Sequence, residues 1–216
     1  MPEHYFLLNL DSTVTRAAIL PRLAALIGME QKMAEITERM MQGELPFEES
    51  FRLQTELLRP IPLAEAQKAV EETPINETLA EWLQTHNSRC FLATGLLDVW
   101  IEPLLCRLQM QGRCFSSKAT VKNGYIDTIS YLLNKDEIIP HFPVPVIAVG
   151  NGDSDAGMLQ QAKKSIAYGG ARRIAPRAQK NALYSVYDEV QLCCLLNELS
   201  GTMPRKPALD IFSPVF

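Results

Sequence analysis

The stretch "YFLLNLDSTVTR", residues 5–16, decides how this chain is read. An apolar run from Tyr5 to Leu8 turns polar at Asn9, Asp11, Ser12 and Thr13. That is the pattern of a buried strand delivering a site at its carboxyl end. Sites of this shape usually want two carboxylates, two residues apart. Here Asp11 supplies the second, and the first position, Asn9, is a carboxamide. The remaining sequence must decide whether Asn9 is a disabled nucleophile or part of an accidental pattern.

Beyond this strand the pattern is helical from residue 15 to residue 72, with no strand signal. "PRLAALIG" puts Pro21 at an expected first helical position and Gly28 at the helix end. "MEQKMAEITERMMQGEL" aligns Met33, Ile36, Met40 and Met41 on one face, and "PFEESFRLQTELLRP" aligns Phe47, Phe51, Leu57 and Leu58 on another. Both stripes read as packing between helices. After residue 72, helices and strands alternate. "LAEWLQTH" is helical, "CFLATG" is a second apolar strand ending at Thr94 and Gly95, and "DVWIEPLLCRLQ" is helical again. "ATVKNGYIDTI" predicts a β-hairpin turning at Asn123-Gly124. "VPVIAVGNGDSD" is a third buried strand entering a Gly-rich turn, with a helix expected from about Ser154. "KSIAYGG" and "LYSVY" read as two further strands. Such alternation implies an α/β fold with a mostly parallel sheet and ligands at the strands' carboxyl ends. The expected division is a core of residues 1–14 and 76–200, a helical insert over 15–75, and a loosely held tail over 201–216.

The bulk properties fit that picture. The 216 residues suffice for one sizeable core or a core with a small insert. A net charge of -4 with no long basic run argues against nucleic acid as a partner. The first ten residues lack a secretion-signal pattern, and no apolar stretch approaches a membrane span. The five cysteines form no Cys-x-x-Cys pair. Reduced structural thiols in a cytoplasmic protein, without zinc, are therefore expected.

Polar groups gather at three strand ends: Asn9/Asp11/Ser12/Thr13, Thr94/Gly95, and Asn151/Asp153/Ser154/Asp155. Lys135 in "NKDEII" lies between the last two. Singly, each has a bland reading. Asp11 or Ser12 could cap a helix, Thr94 could satisfy a turn, and Lys135 could be a solvated charge. Together, from Tyr5 to Tyr187, their order and spacing resemble the haloacid dehalogenase-like (HAD) phosphatases, most closely the phosphoserine phosphatase branch. "NLDST" stands where the branch has D-x-D-S-T, "ATG" where it has Ser or Thr before Gly, and "GNGDSD" where it has G-D-G-x-N-D. "ITERMMQGELPFEESF" resembles the pattern of the branch's helical cap.

The resemblance implies a Rossmannoid three-layer core and a helical cap inserted after the first strand. It also implies an aspartyl-phosphate mechanism. The first aspartate would be the nucleophile and Asp11 the general acid/base, with Thr94, Gly95, Ser12, Thr13 and Lys135 around the phosphoryl group. Mg²⁺ would be held by the first aspartate, the Asp11 carbonyl and the first aspartate of the last motif. In this chain Asn9 stands at the nucleophile and Asn151 at the metal-ligand position. Asp155 is kept, and Asp153 sits at a variable position of the motif. An amide oxygen is a poor nucleophile, and losing two formal charges weakens Mg²⁺ binding. Ala18 and Gln54 occupy the positions where the branch's cap has a glutamate and an arginine for phosphoserine, and Arg52 would point elsewhere. Free phosphoserine is thus a poor candidate.

Three readings remain. The first is a pseudo-phosphatase that binds a phosphorylated or other small anionic ligand. The second is a Mg²⁺-dependent phosphomonoesterase whose acidic residues have been substituted. The third is a regulatory or interaction module that uses the cap as its surface. Metal-free dehalogenation meets the same obstacle at Asn9.

Overall fold

The computed structural model describes residues 3–41 and 44–201. The side chain of Met41 and the segment beyond Gly201 lie outside the described residues, so the expected tail does too. A seven-stranded sheet organises the rest: β1 (Tyr5–Asn9), β2 (Cys90–Leu97), β3 (Cys114–Lys122), β4 (Tyr125–Tyr131), β5 (Val146–Gly150), β6 (Lys164–Tyr168) and β7 (Tyr184–Val186). Their order is β4-β3-β2-β1-β5-β6-β7, so β1 is central. All pairings are parallel except that of β3 with β4. This is the α/β, mostly parallel architecture expected from the sequence.

Central parallel strands are covered on both faces, which is why they read as unbroken apolar runs. In β1, Phe6 and Leu8 join one core and Leu7 joins the other, following the two-residue period of a strand. The first core takes in Leu92, Trp100, Ile147, Val149, Leu192 and Leu196. The second takes in Ala93, Val146, Ala148, Met158, Ala167 and Ala178. Helices α5 (Glu77–Thr85), α6 (Asp98–Arg107), α7 (Ala156–Gln161), α8 (Pro176–Asn181) and α9 (Glu189–Leu199) complete the layers.

Between β1 and α5 the described residues make four α-helices: α1 (Ile19–Ala25), α2 (Glu30–Met41), α3 (Phe47–Leu58) and α4 (Leu63–Glu71). The outgoing and returning segments run side by side. Thr15 bridges Ile75, the Arg16 N–H donates to the Pro74 carbonyl at 2.7 Å, and the Asn76 N–H donates to the Val14 carbonyl at 2.9 Å. The Asn76 side chain adds a buried 2.6 Å bond to the Thr13 carbonyl. The helical segment thus leaves and re-enters the sheet domain at one point, directly behind the polar end of β1.

Three sequence expectations need correction. Helix α1 begins at Ile19, so Pro21 is its third residue, not its first. The first four helical N–H groups have no intrahelical partner, so proline is tolerated there too. The helix after the Gly-rich turn starts at Ala156, because Asp153–Asp155 form a separate tight turn. Strand β3 begins at Cys114, ahead of the hairpin: residues up to Ser117 pair with β2, and the chain then crosses to β4. "CFSS" is half polar and lacks an apolar run, so its strand character was hidden. The hairpin turn is at Asn123-Gly124, with φ of 54° and 81°, the doubly positive geometry that a two-residue hairpin loop favours.

Candidate functional site

The ends of β1, β2 and β5 converge, and the turns after β1 and β5 carry most of the polar groups. The β1 turn is sharp, with Ser12 held at φ 59°, ψ 19°, and its N–H donates to Thr15 Oγ1 at 2.8 Å. Lys135 sits in a short turn, Lys135–Glu137, that follows the hairpin. Its side chain is 5% exposed, which excludes the solvated-charge reading. Its Nζ donates to Asn9 Oδ1 at 2.9 Å and to Asp155 Oδ1 at 2.6 Å. Asp155 is also buried. Its second oxygen accepts from the backbone N–H groups of Asn151 and Gly152, each at 2.8 Å.

The two asparagines face one another in this cluster. Asn9 Nδ2 donates to the Asp11 carbonyl at 2.7 Å and lies 3.3 Å from Thr13 Oγ1 and 3.4 Å from Asn151 Oδ1. Asn151 Nδ2 donates to the Ser12 carbonyl at 2.5 Å. Both amide orientations are fixed by chemistry. An ammonium can only donate and a backbone carbonyl can only accept, so Asn9 must turn its oxygen to Lys135 and its nitrogen to Asp11.

Asp11 points elsewhere. One oxygen of its carboxylate accepts from the Ile19 N–H at 2.8 Å, pinning the start of α1. Burial pushes this carboxyl up to about 6, while the Ile19 bond and the charges of Arg172 and Lys135 pull it back and Asp155 adds a further upward push. Asp11 thus holds the start of α1, and its raised carboxyl lies in the range where proton transfer near neutral pH is feasible. Thr94 is buried, and its hydroxyl accepts from the Leu96 N–H at 3.2 Å.

Asp153, Gln54, Ala18 and Arg52 make none of the hydrogen bonds of the central cluster given above. Asp153 is exposed. Gln54 is buried, and its amide donates to Thr37 on α2 at 3.0 Å. Ala18 is half-buried where the chain enters α1. Arg52 is exposed and pairs with Glu48. Sequence reasoning missed Phe47, Asn76 and Arg172. Phe47 seemed part of a packing stripe, yet its ring lies against Gly95, where an added Cβ would sit 2.8 Å from its tip. The only clue was its place in the quoted cap pattern.

The donor set does not suit Mg²⁺. Among the described residues, no group of three or more His, Cys, Asp or Glu side chains could hold a metal ion. Asn9 and Asn151 supply neutral amides, the Asp11 carbonyl accepts an N–H, and Asp155 accepts from Lys135 and two backbone donors. Mg²⁺ favours anionic oxygen ligands, and of these groups only Asp155 offers a carboxylate, one already paired with Lys135.

No family model matches the chain. It is 28% identical over 207 residues to the phosphoserine phosphatase of Haemophilus influenzae, covering 88% of this chain and 64% of that protein. It is 25% identical over 177 residues to that of Methanocaldococcus jannaschii, covering 75% and 83% respectively. The chain thus spans less than two thirds of the Haemophilus protein. A phosphoserine phosphatase solved as a phospho-aspartyl intermediate analogue superposes with a TM-score of 0.76 at 23% identity, over 91% of this chain and 99% of that one. A HAD family hydrolase from Salmonella enterica gives 0.75 at 20%, over 89% and 71%. At such identities the superpositions speak for the fold. In sequence the chain is similar to phosphoserine phosphatases, and it shares the fold of a HAD family hydrolase.

Proposed function

We propose that this chain is a phosphoserine-phosphatase-like protein impaired in catalysis, which binds a phosphorylated or other small anionic ligand at the strand ends without Mg²⁺. The observation that carries the reading is the state of Asn9. Its oxygen accepts from Lys135 and its nitrogen is turned to a backbone carbonyl. No charged oxygen stands there to attack phosphorus, so the aspartyl-phosphate route lacks its first step. What is kept suits an anion. Lys135 has three N–H donors and two engaged acceptors, which leaves one for a phosphoryl oxygen. Arg172 lies near enough to influence Asp11, and adds positive charge at the rim.

Calorimetric titration with inorganic phosphate tests this directly. Binding in EDTA, together with no turnover of a phosphomonoester panel in Mg²⁺, is the expected result. Phosphate binding only when Mg²⁺ is present, or turnover well above background, would reject the reading.

One observation favours the second reading, a phosphomonoesterase with substituted acidic residues: Asp11 keeps a carboxyl near neutrality in the general acid/base position. If that machinery is intact, the variant carrying both Asn9→Asp and Asn151→Asp should hydrolyse phosphomonoesters in Mg²⁺.

A further inference from the structure

The hydrogen bonds of the two asparagines form one directed chain. Lys135 Nζ donates to Asn9 Oδ1. Asn9 Nδ2 faces Asn151 Oδ1, and Asn151 Nδ2 donates to the Ser12 carbonyl. The Asn9 nitrogen also gathers the Asp11 carbonyl and Thr13 Oγ1, so one NH₂ group has three oxygens around it. Both ends of the chain are fixed, by a group that only donates and by one that only accepts. Neither amide can flip without setting like against like.

We infer that Asn9 and Asn151 act as one unit that takes the place of a bound cation: their two NH₂ groups tie down the backbone carbonyls of Asp11 and Ser12 with no ion present. Two carboxylates with a divalent cation sum to zero charge, and so do two amides alone. The pair therefore conserves the local charge balance while removing the need for an ion. A lone carboxylate at either position breaks it. Asp at residue 9 would set an oxygen against the Asp11 carbonyl at the 2.7 Å now spanned by a hydrogen bond. Asp at residue 151 would do the same against the Ser12 carbonyl at 2.5 Å. Only a proton or a cation relieves such a contact. The inference rests on the metal-free reading above and adds that the two substitutions are coupled and structural.

Thermal unfolding of the wild type and four variants, each in EDTA and in millimolar Mg²⁺, tests it. The wild-type midpoint should not move with Mg²⁺, and calorimetry should show no Mg²⁺ binding. Asn9→Asp and Asn151→Asp should each fall by roughly 3–10 °C in EDTA. Asn151→Ala removes the donor without adding an opposing oxygen, and should fall less than Asn151→Asp. The double variant should fall furthest in EDTA and recover most of the loss in Mg²⁺, so the two changes are non-additive. A wild-type midpoint that rises with Mg²⁺ would overturn the inference, and so would a double variant indifferent to the metal. The wild-type measurement stands even if a variant fails to fold. Failure of phosphate binding would instead reject the anion-site reading and leave these midpoints unaffected.

Discussion

The strand-end cluster and the helices above it treat charge in opposite ways. At the strand ends the charged groups are inside: Lys135 and Asp155 meet at 2.6 Å with 5% and 1% of their side chains exposed. In α1–α4 none of the buried residues among those described is charged. The charges of that segment pair on the outside, as Lys32–Glu35, Arg52–Glu48 and Arg59–Glu56, with side chains roughly half exposed. The inner polar groups of α3 are neutral, and the hydroxyls of Ser50 and Thr55 have no hydrogen-bond partner. The strand-end cluster thus pairs its charges internally and keeps one Lys135 N–H over, whereas the helical face above it has unpartnered hydroxyls and an aromatic ring, Phe47, set against Gly95. The contrast separates two tasks. The strand ends hold charge inside, and the helices keep theirs on the surface.

Removing one charge from each region is the strongest way to break this contrast. Lys135→Met leaves Asp155 buried with two backbone donors and no countercharge, and deprives Asn9 of its donor. A broken buried pair costs about 3–5 kcal/mol, whereas an exposed i,i+4 pair such as Arg52–Glu48 is worth about 0.5 kcal/mol. Urea denaturation of Lys135→Met and Arg52→Ala should show that gap. Equal losses would mean that the strand-end pair is not locked in as described.

Two glycines sharpen the comparison with a smaller effect. A Cβ at Gly150 would lie 2.6 Å from Asp155 Cβ, on a side chain held by three hydrogen bonds. A Cβ at Gly95 would lie 2.8 Å from Phe47 Cζ, the far end of a ring on a residue that is 37% exposed. The first neighbour cannot step aside and the second can. Gly150→Ala should therefore cost about 2–3 kcal/mol, and Gly95→Ala about 1 kcal/mol or less. Matched chemical denaturation curves would decide it, and a larger loss at Gly95 would show that Phe47 is as rigidly held as the core.

These sites also mark where sequence reading succeeded and where it ended. The order of strands, the helical insert and the hairpin were legible, because each rests on local periodicity or on a turn that only certain residues favour. The β1 run and Asn123-Gly124 are the clearest cases. Asn9, Asp11, Lys135 and Asn151 were legible as candidates because their spacing follows a known motif order. Their bonding was not. Nothing in the spacing says that Asn151 turns its nitrogen to Ser12, or that Asp155 holds Lys135, since these contacts join residues 139 and 20 positions apart. The contacts of Phe47 with Gly95 and of Gln54 with Thr37 lay beyond reach for the same reason. A helix pattern tells which face is apolar but not what that face meets.

A pH-dependent effect is expected at Asp11, where the two regions join. Its carboxyl is pushed from 3.8 up to about 6, chiefly by burial, while it accepts from Ile19 at the start of α1. Below about pH 4 the carboxyl is neutral in both folded and unfolded chains, and contributes no pH dependence. Between about pH 4 and pH 6 the unfolded chain ionises it and the folded chain does not, so stability falls as pH rises. Above that range both forms are ionised and the loss is complete. Two pH units at ~1.36 kcal/mol each set a ceiling near 3 kcal/mol, which screening at this half-buried residue lowers to about 1–2 kcal/mol. Asp11→Asn keeps an oxygen for the Ile19 N–H and removes the titration. The variant should match the wild type near pH 4 and gain on it steadily until about pH 6, as urea denaturation across that range would show. A constant difference between the two would mean that the Asp11 carboxyl is hydrated, and that the joint between sheet and helices is more open than its geometry indicates.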